Sequence, residues 1–233
     1  MTSDVREVVP ALARTALFGD LDAHVLDRLA RMVKRVSFPA NALIFQKGDP
    51  SRCLYVIERG CVKIVASSAQ GREVALNLLG VGEIFGEIAL VDGGGRTADA
   101  VACEPVRLLA LERRDLIPFL EASPEITLRM LVTLARRVRW ISDTFEDAAF
   151  LSLPVRLAKR LIFLDRHFGL KGSTGRRLAV SLPQQELANH LNVARETVNR
   201  LLQEWREAGL IEIDRGVFVL KDIERLAQIA QSA

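Results

Sequence analysis

Short apolar runs separated by glycines mark the part of the chain from about Val36 to Leu111. Regularly spaced short strands with turn residues between them are typical of a β-sandwich or barrel. Residues 1 to about 30 have instead the mixed pattern of helices. Representative strand runs are 42–45, 54–57, 61–65 and 74–78.

Two short amphipathic helices joined by a tight turn are predicted between Gln184 and Leu202. Asn192 falls at the turn, and asparagine tolerates positive φ better than most residues. The second helix places Arg195, Glu196 and Arg200 near one edge. Arginine can bond O6 and N7 of guanine and glutamate can accept from N4 of cytosine, so this helix fits the major groove of DNA. The apolar face of the pair comprises Leu187, Ala188, Leu191, Val193, Val198 and Leu201.

The charged trio alone does not decide the function, because a Glu–Arg pair four residues apart is also common on solvated helices and contributes little. A predicted hairpin after the second helix favours the interpretation that this helix binds DNA. Its strands, at 209–213 and 217–220, flank the turn Asp214-Arg215-Gly216. A helix–turn–helix followed by a hairpin is a winged helix.

A long helix is predicted over 124–149, followed by a hinge at 150–154. Six apolar residues along this helix are spaced alternately three and four apart, which is the spacing of a heptad seam. Packing on its own domain explains the spacing almost as well, but a parallel homodimer would present paired recognition helices to paired DNA half-sites. Ser152 is predicted to cap a further helix that ends at Gly169, and 171–177 is predicted as a loop. The seam comprises Leu131, Leu134, Val138, Ile141, Phe145 and Ala148.

Composition narrows the class of protein. The 233 residues suffice for two domains. No apolar run reaches the length of a membrane span and the N-terminus lacks a signal-peptide pattern, so a cytoplasmic protein without membrane contact is expected. Residues 150–233 hold 13 Lys and Arg against 9 Asp and Glu, while the rest hold 19 against 20. This asymmetry favours nucleic acid but is too small to argue binding by itself. Three cysteines without close spacing argue against a disulfide framework or a clustered metal site.

The chain resembles the Crp/Fnr superfamily of bacterial transcription regulators over nearly its whole length. One motif is the recognition helix Arg195-Glu196-Thr197-Val198-x-Arg200. The other is Gly82-Glu83-Ile84-Phe85-Gly86-Glu87-Ile88-Ala89-Leu90 followed by Arg96-Thr97, which is similar to the phosphate-binding cassette of cyclic-nucleotide domains.

The resemblance implies an α+β architecture and a gated DNA-binding function. The expected domains are an N-terminal β-roll (jelly roll) effector domain at 1–123, a dimerisation helix at 124–149, a hinge at 150–154 and a winged helix-turn-helix domain at 155–233. The expected partners are palindromic DNA with TGTGA-like half-sites, a second copy of the chain and RNA polymerase. Cyclic AMP or cyclic GMP is the expected effector.

The resemblance also assigns residues to each surface. Arg195, Glu196 and Arg200 would contact the bases. The other DNA-binding residues implied are Gln184, Gln185, Ala194, Thr197 and Asn199. The ligand-binding residues implied are Gly86, Glu87, Ile88, Ala89, Arg96, Thr97, Arg137, Ile141 and Ser142.

The chemistry of the cassette agrees with a nucleotide ligand. A cyclic phosphate diester carries one negative charge, which Arg96 can meet with a charge-assisted hydrogen bond. Thr97 offers a hydroxyl, and Gly86 allows the backbone to approach closely. Glu87 can accept from a ribose 2′-hydroxyl. The alternative is a structural ion pair between Glu87 and Arg96 in a pocket without a nucleotide.

Several positions depart from the cyclic-AMP-binding members of the superfamily. The glycine-rich segment 92–95 is one residue shorter. Ile141 stands where those members have a threonine that bonds the adenine amino group, and Thr97 could bond a syn guanine, so both nucleotides stay open. Ala194 replaces the usual serine N-cap, a loss worth about 1 kcal/mol, and Gln184 replaces an arginine that reaches the DNA backbone.

Other functions fit less well. Iron–sulfur sensors need closely spaced N-terminal cysteines, which residues 1–52 lack. Haem sensors need an axial ligand, and His24, His167 and His190 lie outside the predicted β-roll strands, so no haem, cluster or metal is expected. No pairing of nucleophile and base points to an enzyme, and the turn at 67–70 lacks the acidic residues that some relatives offer to polymerase. The alternatives are a nucleotide-binding module that acts through protein contacts, or a regulator with an empty or differently liganded pocket.

Overall fold

A computed structural model describes residues 5–67, 73–172, 175–179, 183–214 and 216–232 of the chain. The chain forms two compact units, Met1–Arg139 and Trp140–Ala233. The border between them falls inside the long helix, so the first turns of that helix belong to the first unit. The physical reason is that Ile126 and Met130, in the first turns of that helix, are buried in the core of the first unit.

The first unit is built on two four-stranded sheets with helices around them. The elements are α1 Val5–Leu12, α2 Ala23–Met32, β1 Val33–Phe38, β2 Leu43–Phe45, β3 Cys53–Arg59, β4 Val62–Ser67, β5 Glu73–Leu79, β6 Ile84–Phe85, α3 Glu87–Asp92, β7 Asp99–Ala102, β8 Val106–Glu112, α4 Arg113–Glu121 and α5 Pro124–Phe150. The strand orders of the two sheets are β1-β8-β3-β6 and β2-β7-β4-β5. The predicted strand-rich region is confirmed. Two helices were not predicted: α3, which lies within that region, and α4, which follows it.

Two apolar clusters hold this unit together. One draws buried side chains from both sheets, including Ile57, Val62 and Phe85. The other packs α1, α2, α4 and the start of α5 against the sheet that contains β3 and β8. Burial of this apolar area is the main source of stability for such a fold. Residues 68–70, which belong to the turn that lacks acidic residues for contact with polymerase, lie outside the described residues.

The second unit, beyond the end of α5, is a helical domain with a small four-stranded sheet of order β11-β12-β10-β9. The predicted hairpin is present as β11 and β12, with Asp214 paired to Val217; Arg215 of its turn lies outside the described residues. The elements are α6 Leu153–Phe168, β9 Gly169–Lys171, β10 Arg176–Leu178, α7 Gln184–Leu191, α8 Arg195–Glu207, β11 Ile211–Asp214, β12 Val217–Leu220 and α9 Ile223–Gln231.

One sequence expectation needs correction. The segment 171–177, predicted as a loop, contributes the ends of β9 and β10, because Arg176 and Arg177 pair with β9 and β12; Ser173 and Thr174 lie outside the described residues. The segment 150–154, predicted as a hinge, comprises the last residue of α5, the two residues Leu151 and Ser152 between the helices, and the first two residues of α6.

The ends of α6 differ in detail from the prediction. Ser152 is the N-cap residue, but its side chain makes no capping hydrogen bond. Gly169 follows the helix with φ −75°, outside the left-handed region. Its role is to make room, because a Cβ atom there would overlap the carboxylate of Asp165. Among the described residues, no helix is long and apolar enough to cross a bilayer.

Candidate functional site

Two glycines bound the short helix of the cassette. Gly86 and Gly93 flank α3, and both have left-handed backbone, with φ +79° and +76°. Non-glycine residues adopt this region at a cost, so the sequence predicts the position of the turn well. A Cβ atom on residue 86 would collide with the guanidinium of Arg96. Glycine is therefore required at residue 86 for two reasons: the backbone angle is left-handed, and Arg96 fills the space that a side chain would need.

Arg96 is buried, with 5% of its surface exposed. Its Nη1 donates to the carbonyl oxygen of Gly86 and its Nη2 to that of Cys53, both at 2.7 Å. The guanidinium carbon lies 4.1 Å from the centre of the Phe45 ring, which is cation–π distance. Burial lowers the pKa of Arg96, but a guanidinium stays charged in proteins. Its Nε has no hydrogen-bond partner among the described residues.

Glu87 is completely buried. Nη1 of Arg137 lies 3.0 Å from its Oε1, yet neither carboxylate oxygen accepts a hydrogen bond from any described residue. Burial raises the pKa of Glu87, and the charge of Arg137 opposes this shift. The expected alternative of a Glu87–Arg96 ion pair is wrong among the described residues, because Arg137 is the cation paired with Glu87 and Arg96 uses backbone carbonyls.

These side chains meet at one small cavity of about 40 Å³. Thr97 on its rim is exposed, Ile88 is half-buried and Ala89 is buried. Ile141 and Ser142, also assigned to ligand binding, belong to the second unit and are exposed. The lining residues are Phe45, Ile64, Phe85, Gly86, Glu87, Ile88, Ala89, Arg96, Thr97, Ala98 and Arg137.

Sequence reasoning missed the residues that hold Arg96 in place. Cys53 contributes a backbone carbonyl, and Phe45 contributes the face of its ring. A carbonyl acceptor has no residue-type signature, so no sequence signal could have found Cys53. Phe45 could have been suspected from its position in a short strand run. Arg113 was also missed; its Nε donates to the carbonyl of Leu90 near the end of α3 at 2.8 Å.

The helix–turn–helix is formed by α7 and α8. Asn192 makes the turn with φ 51° and ψ 48°, as its residue type predicts. Arg156 of α6 stabilises the C-terminal end of α7, because its Nη1 donates to the carbonyl oxygen of Leu191 at 3.0 Å. Ala194 precedes α8 in extended conformation and gives no side-chain cap.

The charged trio faces outward on α8. Arg195, Glu196 and Arg200 are exposed, as recognition of base edges requires, while Thr197 and Asn199 are half-buried. On α7, Gln185 is exposed and Gln184 is half-buried. Nε2 of Gln185 donates to Oδ1 of Asn189 at 2.9 Å.

Most residues of the predicted seam on α5 are exposed to solvent. Val138 is 65% exposed and Phe145 76%, and Leu131, Ile141 and Ala148 are also exposed. Leu134 is the exception, because it packs partly against the core of the first unit. Packing within the chain therefore does not account for most of the seam.

Comparison with known proteins identifies the family. Residues 35–123 match the cyclic nucleotide-binding domain and residues 155–229 match the Crp-like helix-turn-helix domain. Over 220 residues the chain is 33% identical to a CRP-like cAMP-activated global transcriptional regulator of Mycobacterium tuberculosis, which covers 94% of this chain and 98% of that protein. The chain belongs to the Crp/Fnr family.

Other Crp/Fnr proteins extend the likeness. The chain is 32% identical over 214 residues to the cyclic AMP receptor protein of Thermus thermophilus, covering 92% of this chain and 96% of that one. Its fold is similar to that of the c-di-GMP responsive global regulator CLP of Xanthomonas campestris, with a TM-score of 0.73, 26% identity and coverage of 85% and 99%. Crp/Fnr proteins are transcription regulators and not enzymes. This chain is accordingly a transcription regulator with a cyclic nucleotide-binding domain and a helix-turn-helix domain that binds DNA.

Proposed function

We propose that the protein is a homodimeric, sequence-specific regulator whose DNA binding is gated by a cyclic nucleotide. The observation that carries this proposal is the convergence of Glu87 and Arg96 on one cavity. Both are buried, and both retain atoms without a hydrogen-bond partner among the described residues. Unsatisfied buried polar atoms cost stability, so they indicate a ligand that completes them.

The donors and acceptors at this cavity fit a cyclic nucleoside monophosphate. The cation of Arg96 and the hydroxyl of Thr97 suit a phosphate diester with one negative charge. The carboxylate of Glu87 suits a ribose hydroxyl, which is a donor. Two relatives are named as cAMP-activated or as a cyclic AMP receptor, which favours cyclic AMP, while the apolar Ile141 and the hydroxyl of Thr97 keep cyclic GMP in consideration.

The exposed trio on α8 supports reading of a TGTGA-like half-site. Arg195 and Arg200 can each make bidentate bonds to guanine, and Glu196 can accept from cytosine. Gln185 and the uncapped amides at the start of α8, next to Ala194, can contact phosphates. Regulation of transcription would add RNA polymerase as a further partner.

The exposed seam of α5 supports a parallel dimer. A second copy would cover Val138, Ile141 and Phe145, which are largely exposed within one chain, and burial of such side chains drives association. A two-fold axis along this seam would set the two recognition helices about 34–36 Å apart, one turn of DNA. The palindromic form of the expected site follows from that symmetry.

A second candidate is a Crp/Fnr regulator with a different effector or none. The cavity of about 40 Å³ is well below the roughly 300 Å³ of ordinary ligand sites, and Arg96 already has two hydrogen bonds within the fold. Nucleotide binding therefore requires Arg96 or α3 to move. The c-di-GMP responsiveness of a structural relative makes cyclic dinucleotides the first alternative to test.

The decisive experiment is calorimetry of the full chain with cyclic AMP, cyclic GMP and cyclic di-GMP in parallel, paired with DNA binding to a TGTGA-type palindrome. We expect a cyclic mononucleotide to bind and to tighten DNA binding by about 5–150-fold, the usual range of coupling. Arg96→Leu should remove both effects, with unchanged circular dichroism. Equal binding of the palindrome with and without every nucleotide would reject the gating. Failure to bind the palindrome under all conditions would instead favour a module that acts through protein contacts.

A further inference from the structure

Two of the three cysteines lie opposite each other at the ends of neighbouring strands in one sheet of the first unit. Cys61 precedes β4 and Cys103 follows β7, and the two strands pair antiparallel with Val62 opposite Ala102. One step further along the same register places Cys61 opposite Cys103. The backbone confirms the pairing, because the amide of Cys103 donates to the carbonyl of Cys61 at 2.9 Å.

The two thiols also influence each other. A side-chain hydrogen bond with Cys103 and burial together raise the pKa of the Cys61 thiol. Cys61 is buried, with 1% of its surface exposed, whereas Cys103 is half-buried and reachable from solvent. The third cysteine, Cys53, lies beside Tyr55 instead. All three are free thiols in the structure.

We propose that Cys61 and Cys103 form a redox-responsive dithiol that closes to an intrachain disulfide when a peroxide oxidises the protein. The thiolate of Cys103 attacks the peroxide, forming an S–O bond and releasing water after protonation, which leaves a sulfenic acid. The sulfur of Cys61 then attacks the sulfur of Cys103. The S–O bond breaks, the S–S bond forms, and a second water leaves with the proton of Cys61. Two thiols are oxidised as one peroxide is reduced.

The backbone needs little movement for this step. Residues at hydrogen-bonded positions of an antiparallel pair have Cα atoms about 5.5 Å apart, inside the roughly 4.4–6.8 Å that disulfides span. The turns beside the two cysteines are already packed together, since a Cβ atom on Gly60 would overlap Val106 and the carbonyl of Pro105. The disulfide would fasten β4 to β7 at the end where these turns meet.

The more exposed member of the pair, Cys103, acts first. Carboxylates near Cys61, those of Glu83 and Glu104, disfavour its thiolate further, so Cys61 is a poor initial nucleophile. Cys103 is therefore the residue that meets the oxidant and Cys61 the residue that resolves the intermediate. This order gives the two cysteines distinguishable roles.

The test is oxidation of the full chain with hydrogen peroxide, followed by thiol titration in denaturant and peptide mapping without reductant. We expect the wild type to lose two of its three thiols and to yield a peptide pair linked through Cys61 and Cys103. Reduction with dithiothreitol should restore all three thiols. The oxidised protein should melt at a higher temperature than the reduced one, because the cross-link restricts the unfolded chain.

Matched variants separate this pair from general thiol oxidation. Cys53→Ser should still form the link and keep no free thiol after oxidation. Cys103→Ser should form no link, and a sulfenic-acid trap should label Cys61→Ser at Cys103 but leave Cys103→Ser unlabelled at Cys61. Three titratable thiols remaining in the oxidised wild type, or linkage through Cys53 or between chains, would overturn the proposal.

Discussion

The guanidinium of Arg96 fills the space beside Gly86 that a Cβ atom on residue 86 would need, and its Nη1 donates to the Gly86 carbonyl at 2.7 Å. The two residues therefore depend on each other: Gly86 has no side chain, which leaves space for the guanidinium of Arg96, and Arg96 binds the carbonyl oxygen of Gly86. Any change at residue 86 must move the cation that we propose to bind phosphate.

Gly86→Ala should damage both stability and ligand binding. The left-handed φ of +79° costs a non-glycine residue about 1–3 kcal/mol, and the added methyl group would push Arg96 from its carbonyl acceptors. Chemical denaturation and calorimetry with cyclic AMP measure the two effects. Gly93→Ala is the control, because it has the same backbone angle but no group within 3.4 Å of the added atom. It should lose stability by a similar amount and keep more of the nucleotide affinity.

Glu87→Gln should weaken nucleotide binding by about tenfold, because a hydrogen bond to a charged acceptor is replaced by one to a neutral amide. The same variant should melt at a higher temperature than the wild type near neutral pH. The reason is that burial, the largest cause of the raised pKa of Glu87, penalises the ionised carboxylate. Thermal melts with and without nucleotide check both statements, and a lower melting temperature of the unliganded variant would contradict the second.

The stability difference between wild type and Glu87→Gln should depend on pH with a definite sign. A carboxyl group whose pKa is higher in the folded state binds its proton more readily there than in the unfolded chain. Acidification from neutral pH towards the ordinary pKa of glutamate therefore removes the penalty. Melting curves at several pH values should show the wild type approaching the variant as the pH falls; a gap that widens would contradict this.

Arg200→Ala should cost about 1–3 kcal/mol on the cognate half-site and relax specificity at one base pair. The physical reason is the loss of a bidentate contact to a base from an exposed residue near the start of α8. Arg206→Ala, near the other end of the same helix and also exposed, is the control and should change specificity little. If Arg200→Ala weakened cognate and random DNA equally, Arg200 would be a phosphate contact.

Val138→Asp should give monomers without unfolding the chain. Val138 is 65% exposed within one chain, so the change adds little strain there, but it would bury a charge in a paired seam. Sedimentation and circular dichroism measure assembly and folding separately. Arg136→Asp, which also introduces an exposed aspartate on α5 but off the seam, is the control and should stay dimeric. A stable dimer of Val138→Asp would point to another interface.

Arg156→Met should destabilise the second unit by about 1–3 kcal/mol, since the carbonyl of Leu191 loses its donor at the end of α7. Methionine keeps much of the apolar contact of the arginine stem, which isolates the hydrogen bond. Denaturation followed by tryptophan fluorescence would measure the change, because Trp140 and Trp205 both belong to the second unit. Lys159→Met, which removes the exposed partner of Asp147, should cost less.

Local patterns predicted the elements whose structure depends on neighbouring residues in the chain. The turn at Asn192 and the amphipathic faces of α7 and α8 are of this kind. β9 and β10 were missed because these short segments become strands by pairing with each other and, for β10, with β12. Such tertiary contacts are not encoded by a short polar segment.

The candidate site likewise contains some residues that a local motif predicts and others that only the tertiary structure reveals. Glu87 and Arg96 could be found because their motif specifies residue types. Their surroundings could not, because the carbonyls of Gly86 and Cys53 are acceptors in any residue. The pairing of Glu87 with Arg137, and not with Arg96, depends on how α5 packs on the sheets, which no local pattern sets.

The two glycines at the ends of α3 have a consequence for sequence change in the cassette. Because Gly86 and Gly93 both lie in the left-handed region, any other residue at either position would strain the turn that enters or leaves the six-residue helix between them. Substitutions inside α3 can therefore alter the lining of the cavity without straining these turns, whereas substitutions at its two ends cannot.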